Sequence, residues 1–160
     1  MKSLSLYAAV TLTGLSAGLF YAWAVSVIPG TQRVIDTTYL EAMQAINRAI
    51  LNPTFYLSFF GSLIMLGVAS FYHYQSNGFW LILVAMLLYL VGTFGVTVFG
   101  NVPLNDQLDI LDLADLSPAK LAKFREYYET KWNRFHTIRS LFSIASFMLS
   151  LLAVFSTTKL

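Results

Sequence analysis

The chain has 160 residues, of which 57% are apolar, 16% aromatic and only 11% charged. A soluble domain carries about 25% charged residues, so this composition indicates a membrane protein. The net charge of +2 gives no reason to expect a nucleic-acid partner, and the lack of cysteine excludes disulfides, thiolate metal sites and thiol redox chemistry.

Three long stretches carry no charge: residues 3–32, 49–105 and 140–158. A helix crosses the hydrocarbon core of a bilayer with about 20 apolar residues, so the middle stretch contains two crossings. The apolar runs are continuous rather than alternating with period two, which excludes a transmembrane β-barrel. We therefore predict an all-α fold, a four-helix transmembrane bundle that contacts the lipid bilayer and forms a single domain over 1–160. The expected spans are about 5–28, 53–74, 79–100 and 138–158, with the small polar run 75–78 as the turn between the second and third.

The first span has a competing interpretation. Lys2, the apolar run after it and the triplet at 22–24 also resemble a cleavable signal peptide. We favour a membrane span, because bulky aromatic rings crowd the supposed cleavage region and fit an interfacial aromatic belt. Gly14 and Gly18 predict close packing of a neighbouring helix, with an opening for a flat ligand as the alternative.

Four spans place both long connections, 29–52 and 101–137, on the same side of the membrane, where they are expected to form an extramembrane cap. Residues 36–51 have the pattern of an amphipathic helix lying along the membrane surface, with Thr38 and Glu41 spaced as a capping box. Its predicted apolar face consists of Leu40, Met43, Ile46 and Ile50. Asn52 and Pro53 then end this helix and start the second span.

The second connection is expected to begin where Pro103 stops the third span. Aspartates follow at every third position, at 106, 109, 112 and 115, which predicts a solvated acidic stripe on a helix. A calcium loop would need a tighter turn with glycine. Ser117 and Pro118 form an N-cap and first-turn pair, so a helix of about 40 residues should start there and run through the fourth span without a break.

The richest polar cluster lies where this last helix enters the membrane. Trp132, His136 and Arg139 share one helix face, and Thr93, Thr97 and Asn101 form a matching stripe on the third span. Four more side chains are expected at the same level: Tyr21, Trp23, Asn52 and Asn105. Polar groups at membrane depth are costly, so these groups should face one another or a cavity.

A purely structural explanation is the alternative. Arg139 would then pair with Asp106 or Asp109, the threonines would bond to helix carbonyls, and Trp132 would belong to the aromatic belt. A haem or metal shared by His73 and His136 is excluded, because the two rings lie near opposite membrane faces, about 30 Å apart. His136 with carboxylates is only a weak metal possibility, and no metal site is predicted.

Four stretches of the sequence resemble the anthrone oxygenase-like family of small four-span membrane proteins, long catalogued as a domain of unknown function. They are residues 17–22, 44–55, 97–105 (Thr-Val-Phe-Gly-Asn-Val-Pro-Leu-Asn) and 132–139 (Trp-Asn-Arg-Phe-His-Thr-Ile-Arg). They follow the family order over nearly the whole chain. The chain departs from the family pattern at His136, where many members carry asparagine.

The resemblance implies an oxygenase that acts on anthrones, hydroxyaromatic compounds with an acidic ring CH2 group, without an obvious cofactor. Removing a ring proton gives an enolate that reacts with dioxygen, so the site must offer a base, oxyanion donors and a dry apolar slot. The expected catalytic residues are His136 as base and Arg139, Asn101 and Asn105 as oxyanion donors. The expected substrate-binding residues are Trp132, Tyr21 and Trp23 beside the planar ring, together with Thr97 and Asn52.

Two other classes of function are open. The chain could be a membrane binding or accessory protein whose polar cluster only stabilises the bundle. A transporter is disfavoured, since no ionisable residue lies at mid-membrane depth and no repeat relates the two halves. Eight of the ten basic residues lie on the side of the long connections, so these connections are expected in the cytoplasm, at the cell membrane.

Overall fold

The computed structural model describes residues 1–157, which contain five helices and no β-strand. The helices are α1 (Lys2–Thr31), α2 (Asp36–Ala49), α3 (Pro53–Tyr72), α4 (Phe79–Asp109) and α5 (Pro118–Thr157). All except α2 are long and apolar enough to cross a membrane, so the chain is a multi-pass membrane protein with an all-α bundle. Residue 158, the expected end of the fourth span, lies outside the described residues.

The four long helices surround an apolar core. α1 packs against α3 and α5, and α4 packs against the same two helices. The centre of the core is closed by small and branched side chains and one aromatic ring: Leu6, Ala9, Leu66, Ala69, Ile82, Ala85, Tyr89 and Ala153. Many apolar side chains point outward instead, as expected for helices in contact with lipid.

The two long connections fold into a second layer at one end of the bundle, which we call the cap. The cap has its own apolar core, in which Tyr39, Leu40 and Met43 of α2 pack against Leu108 and Tyr128. Burial in this core raises the pKa of Tyr39 above its ordinary value.

Polar contacts fix α2 to its neighbours. The Gln44 amide donates to the carbonyls of Leu108 and Leu111 at 2.8 and 3.0 Å, which closes the end of α4. Arg125 of α5 forms ion pairs with Asp36 at 3.0 Å and Glu129 at 2.9 Å. The predicted amphipathic helix is therefore present, and its apolar face packs on protein.

Two details of the cap prediction are wrong. α2 begins at Asp36 with Ile35 as its N-cap and no side-chain cap bond, so Thr38 and Glu41 lie inside the helix and form no capping box. The acidic stripe is also interrupted, because α4 ends at Asp109 and the Asp112 carboxylate accepts a hydrogen bond from the Ala114 amide to cap a short 3-10 turn.

Pro103 does not end the third span, contrary to the prediction. The chain makes π-helical turns over Thr97–Asn101 and then resumes an α-helix over Val102–Asp109. Pro103 therefore occupies the first turn of the resumed α-helical segment, where proline is tolerated. α4 therefore continues unbroken into the cap and carries Asn105 with it.

The predicted long helix is confirmed. α5 runs for 40 residues from Pro118 to Thr157, joining the cap to the bundle in one element. The turn between the second and third spans is also confirmed: α3 ends at Tyr72, α4 begins at Phe79, and Gln75 has a positive φ of 64° between them.

Much of α4 is π-helical, a feature that the sequence did not predict. π-helical turns cover Tyr89–Gly95 and Thr97–Asn101, and another covers Trp23–Val27 of α1. In an α-helix each four-residue step rotates the side chain by about 40°, whereas the wider π turn offsets this drift. Side chains four residues apart therefore stay on the inner face, and all four are buried: Tyr89, Thr93, Thr97 and Asn101.

Two glycines of α4 allow α5 to approach closely. A Cβ added at Gly92 would overlap the ring of Phe142, and one at Gly100 would lie 2.8 Å from the ring of Phe135. In membranes, small residues at such contacts let helices pack backbone against side chain. The α4–α5 contact therefore sets the position of the polar cluster on both helices.

The predicted close approach at α1 is present at only one of its two glycines. A Cβ at Gly14 would lie 3.1 Å from the ring of Phe147, whereas one at Gly18 would meet nothing within 4 Å. Gly14 therefore serves the packing of α1 on α5, and Gly18 faces open space.

Candidate functional site

A cavity of about 90 Å³ lies at the level where the bundle meets the cap. We call it the inner cavity. All five helices contribute to its wall, which is mostly apolar and includes the aromatic rings of Phe20, Trp23, Phe55 and Trp132. Its polar lining comes from Asn47, Thr97, Asn105 and Arg139.

Arg139 is the charged group of this cavity, and it is held by aromatic rings. Its guanidinium carbon lies 4.6 Å from the ring centre of Phe20 and 5.0 Å from that of Trp132. Its nitrogens donate to Nδ1 of His136 at 3.1 and 3.3 Å and to the Thr97 hydroxyl at 3.4 Å. Since a guanidinium carries five N–H groups, these bonds leave donors free for the cavity.

No carboxylate neutralises Arg139. The side chain is only 8% exposed, and among residues 1–157 it forms no ion pair. The expected alternative partner Asp109 pairs instead with Arg48, at 2.5 Å. A buried cation without a counter-ion costs several kcal/mol, and such groups in membrane helices usually serve function.

His136 lies behind Arg139 and makes no part of the cavity wall. Its ring is fully buried and stacks on Trp132 with 5.1 Å between centroids and 6° between planes. Nδ1 accepts from Arg139, and Nε2 lies 3.1 Å from the Phe20 carbonyl, to which it donates. Both ring nitrogens are thus engaged, and His136 orients the guanidinium.

The two asparagines of α4 differ in their access to the cavity. Asn101 is buried behind the wall, where its amide nitrogen donates to the Trp132 carbonyl at 3.2 Å and its Oδ1 has no partner among the described residues. Asn105 lies four residues further along the helix and lines the inner cavity directly.

The remaining sequence-predicted residues divide into two groups. Trp23, Thr97 and Trp132 line the inner cavity. Tyr21 is 57% exposed and does not line it. Asn52 caps α3, since its Oδ1 accepts from the Phe55 amide at 3.0 Å and its amide donates to the Ala49 carbonyl.

A second cavity of about 130 Å³ adjoins the inner one and opens toward the cap surface. We call it the mouth. Asn47, Leu51, Val102 and Asn105 line both cavities, so they form the partition between them. Ligand pockets usually measure about 300–1,000 Å³, so a ligand of several rings would extend through the partition. Leu51, one of the partition residues, is 62% exposed.

A larger cavity of about 360 Å³ lies at the opposite end of the bundle. Lys2 and His73 contribute to its wall, but Lys2 is exposed and His73 bonds the Lys2 carbonyl at 3.2 Å. This cavity therefore holds no buried unpaired charge. Within residues 1–157, no group of three histidines or carboxylates is arranged to hold a metal ion.

Fold and site together define a small multi-pass membrane protein with a buried cation beside an aromatic-walled cavity. A family model described as anthrone oxygenase matches residues 52–149, more than half of the chain, and the chain belongs to this family. No curated protein and no solved structure matches it. The matched range contains Asn105, Trp132 and Arg139, whereas the cavity residues of α1 and α2 precede it.

The residues of the inner cavity that the sequence analysis missed include Phe20, Asn47 and Phe55. Asn47 carried a signal, because it is a polar residue four positions after Met43 on the apolar face of α2. The two phenylalanines carried none, since apolar rings in a membrane span are ordinary core or lipid-facing residues.

Proposed function

We propose that the chain is a membrane oxygenase that binds an anthrone-like hydroxyaromatic as its enolate and lets it react with dioxygen. The observation that carries this proposal is the buried guanidinium of Arg139, which faces an aromatic-walled cavity and has no carboxylate partner among the described residues. An enolate oxygen supplies the missing negative charge, and a charge-assisted hydrogen bond to it is strong in an apolar surrounding.

The walls of the cavity suit the rest of such a ligand. The rings of Phe20, Trp23, Phe55 and Trp132 offer apolar and stacking contacts to a flat molecule. The inner cavity takes the end that carries the enolate oxygen, and the mouth takes the far end. Membership of the anthrone oxygenase family supports this class of ligand.

The reaction balances with dioxygen as the oxidant. The ring CH2 loses a proton to water, and the enolate carbon forms a C–O bond to dioxygen. The resulting peroxide anion takes up a proton, and loss of water from the hydroperoxide leaves a ring carbonyl. The CH2 carbon is oxidised by four electrons; one oxygen atom ends in the carbonyl and the other in water.

The expected roles of the polar residues change with the geometry. Arg139 and Asn105 reach the cavity and are proposed to contact the ligand oxygens. His136 is proposed as a positioning residue, since both its nitrogens are engaged and it does not line the cavity. Asn101 supports the wall through the Trp132 carbonyl.

Oxygen uptake tests the proposal. Purified protein in detergent, given anthrone, should consume one dioxygen per anthrone and release one anthraquinone, faster than anthrone oxidises alone. Trp23→Ala removes a cavity wall and should lower the rate by about tenfold or more, since misplacing a substrate is costly. Trp80→Ala, at a lipid-exposed position, is the matched control and should leave the rate unchanged. A rate no higher than without protein would exclude the oxygenase and favour the accessory role.

A further inference from the structure

A chain of hydrogen bonds fixes which atoms of two asparagines face the cavities. The Trp132 indole donates to the Asn105 side chain at 2.8 Å, and an indole N–H is only a donor. The contacted Asn105 atom is therefore Oδ1, and its amide nitrogen is the other end of the side chain.

Tyr128 connects Asn105 to Asn47 of α2 by two further hydrogen bonds. The Tyr128 hydroxyl lies 3.1 Å from Asn105 Oδ1 and must donate to it. Its lone pair then accepts from Asn47 at 3.1 Å, so the Asn47 atom in this contact is the amide nitrogen. Both asparagine orientations are thus set by a donor that cannot reverse.

Two groups of this network remain without a partner among residues 1–157. They are the amide nitrogen of Asn105, a donor, and Oδ1 of Asn47, an acceptor. Both residues line the inner cavity and the mouth. The partition between the cavities therefore presents one donor and one acceptor to the part of a ligand that passes from the inner cavity into the mouth.

We infer that Asn47 is a specificity-determining residue that accepts a hydrogen bond from a free hydroxyl that the ligand carries where it crosses the partition, with Asn105 donating to a neighbouring ring oxygen. This inference rests on the proposed function. A hydroxylated ligand satisfies Oδ1 of Asn47, whereas its methyl ether has no proton to donate and leaves a partly buried acceptor unpaired. The hydrogen-bond network therefore selects ligands with a free hydroxyl, whereas Arg139 recognises the negative charge of the ligand.

Binding of two matched dyes tests the inference. The dyes are 2,6-dihydroxyanthraquinone and 2-hydroxy-6-methoxyanthraquinone, each of which keeps one hydroxyl for Arg139. Neither is consumed by the proposed reaction, so quenching of tryptophan fluorescence reports binding alone. Wild-type protein should bind the dihydroxy dye about tenfold more tightly, the value of one hydrogen bond. Asn47→Leu should reduce this preference to nearly none.

A second pair of variants tests the network without touching the cavity wall. Tyr128→Phe frees the Asn47 side chain to rotate, whereas Asn105 keeps its bond from the Trp132 indole, and this variant should also reduce the preference. Tyr127→Phe removes a neighbouring hydroxyl that bonds Gln107 at the surface and should leave it unchanged. A preference that persists in Asn47→Leu, or is absent in wild-type protein, would overturn the inference but not the oxygenase. Failure of both dyes to bind wild-type protein would overturn both proposals.

Discussion

Replacing Arg139 with glutamine should weaken binding of an ionised hydroxyaromatic by about 100-fold, because it removes the cation that faces the ligand oxygen. Folding should change little, since the variant also relieves the cost of burying a charge that has no counter-ion among the described residues. The unfolding midpoint in detergent should move by less than about 4 °C, or about 1 kcal/mol. Dye titration and thermal unfolding measure the two effects separately.

Arg134→Gln is the matched control. Arg134 lies on the same helix but is exposed and does not line the inner cavity, so its replacement should affect neither dye affinity nor stability. If Arg139 only stabilised the fold, Arg139→Gln would give the opposite pattern. Stability would fall strongly, and the protein that still folds would bind the dye as tightly as wild-type protein.

Gly92→Ala should destabilise the bundle by about 1–3 kcal/mol, because the new Cβ would overlap the ring of Phe142 and force α4 away from α5. The unfolding midpoint should fall by about 4–10 °C. Turnover should fall too, since this contact sets the position of Arg139 relative to Thr97, which lies 3.4 Å away.

Gly18→Ala provides the control for this substitution. A Cβ at Gly18 meets nothing within 4 Å, and alanine favours a helix over glycine by about 1 kcal/mol, so this variant should be as stable as the parent or more stable. Adding Phe142→Ala to Gly92→Ala should restore part of the loss. Equal effects of the two glycine substitutions would show that the α4–α5 contact has no special role.

The long helices could be predicted because the sequence patterns that indicate them extend over many residues. Charge-free runs define the spans, and α5 contains neither glycine nor proline after its first residue. Pro103 was misjudged because a local stop signal depends on the backbone before it, and a π-helical turn does not show in apolar periodicity. The capping box at Thr38 failed for a similar reason, since the N-cap of α2 is Ile35, three residues before Thr38.

The sequence predicted at which depth in the membrane the site residues lie, but not which of their side chains line the cavity. Arg139, Trp132 and Asn105 were expected together and do line one cavity. The spacing of residues on one helix face, however, does not predict which of two neighbouring polar side chains lines the cavity and which lies behind its wall. His136 and Arg139 are three residues apart on one face, yet in the packed structure Arg139 lines the inner cavity and His136 does not.

The ionisation of a bound dye tests the anion site most directly. The phenol of 2-hydroxyanthraquinone changes colour when it ionises, so absorbance against pH reports its pKa when free and when bound. Wild-type protein is expected to lower the pKa of the bound phenol by at least about one unit and Arg139→Gln is not, because a nearby cation favours the phenolate. A bound phenol whose pKa is unchanged or raised in wild-type protein would show that no unpaired cation faces the ligand.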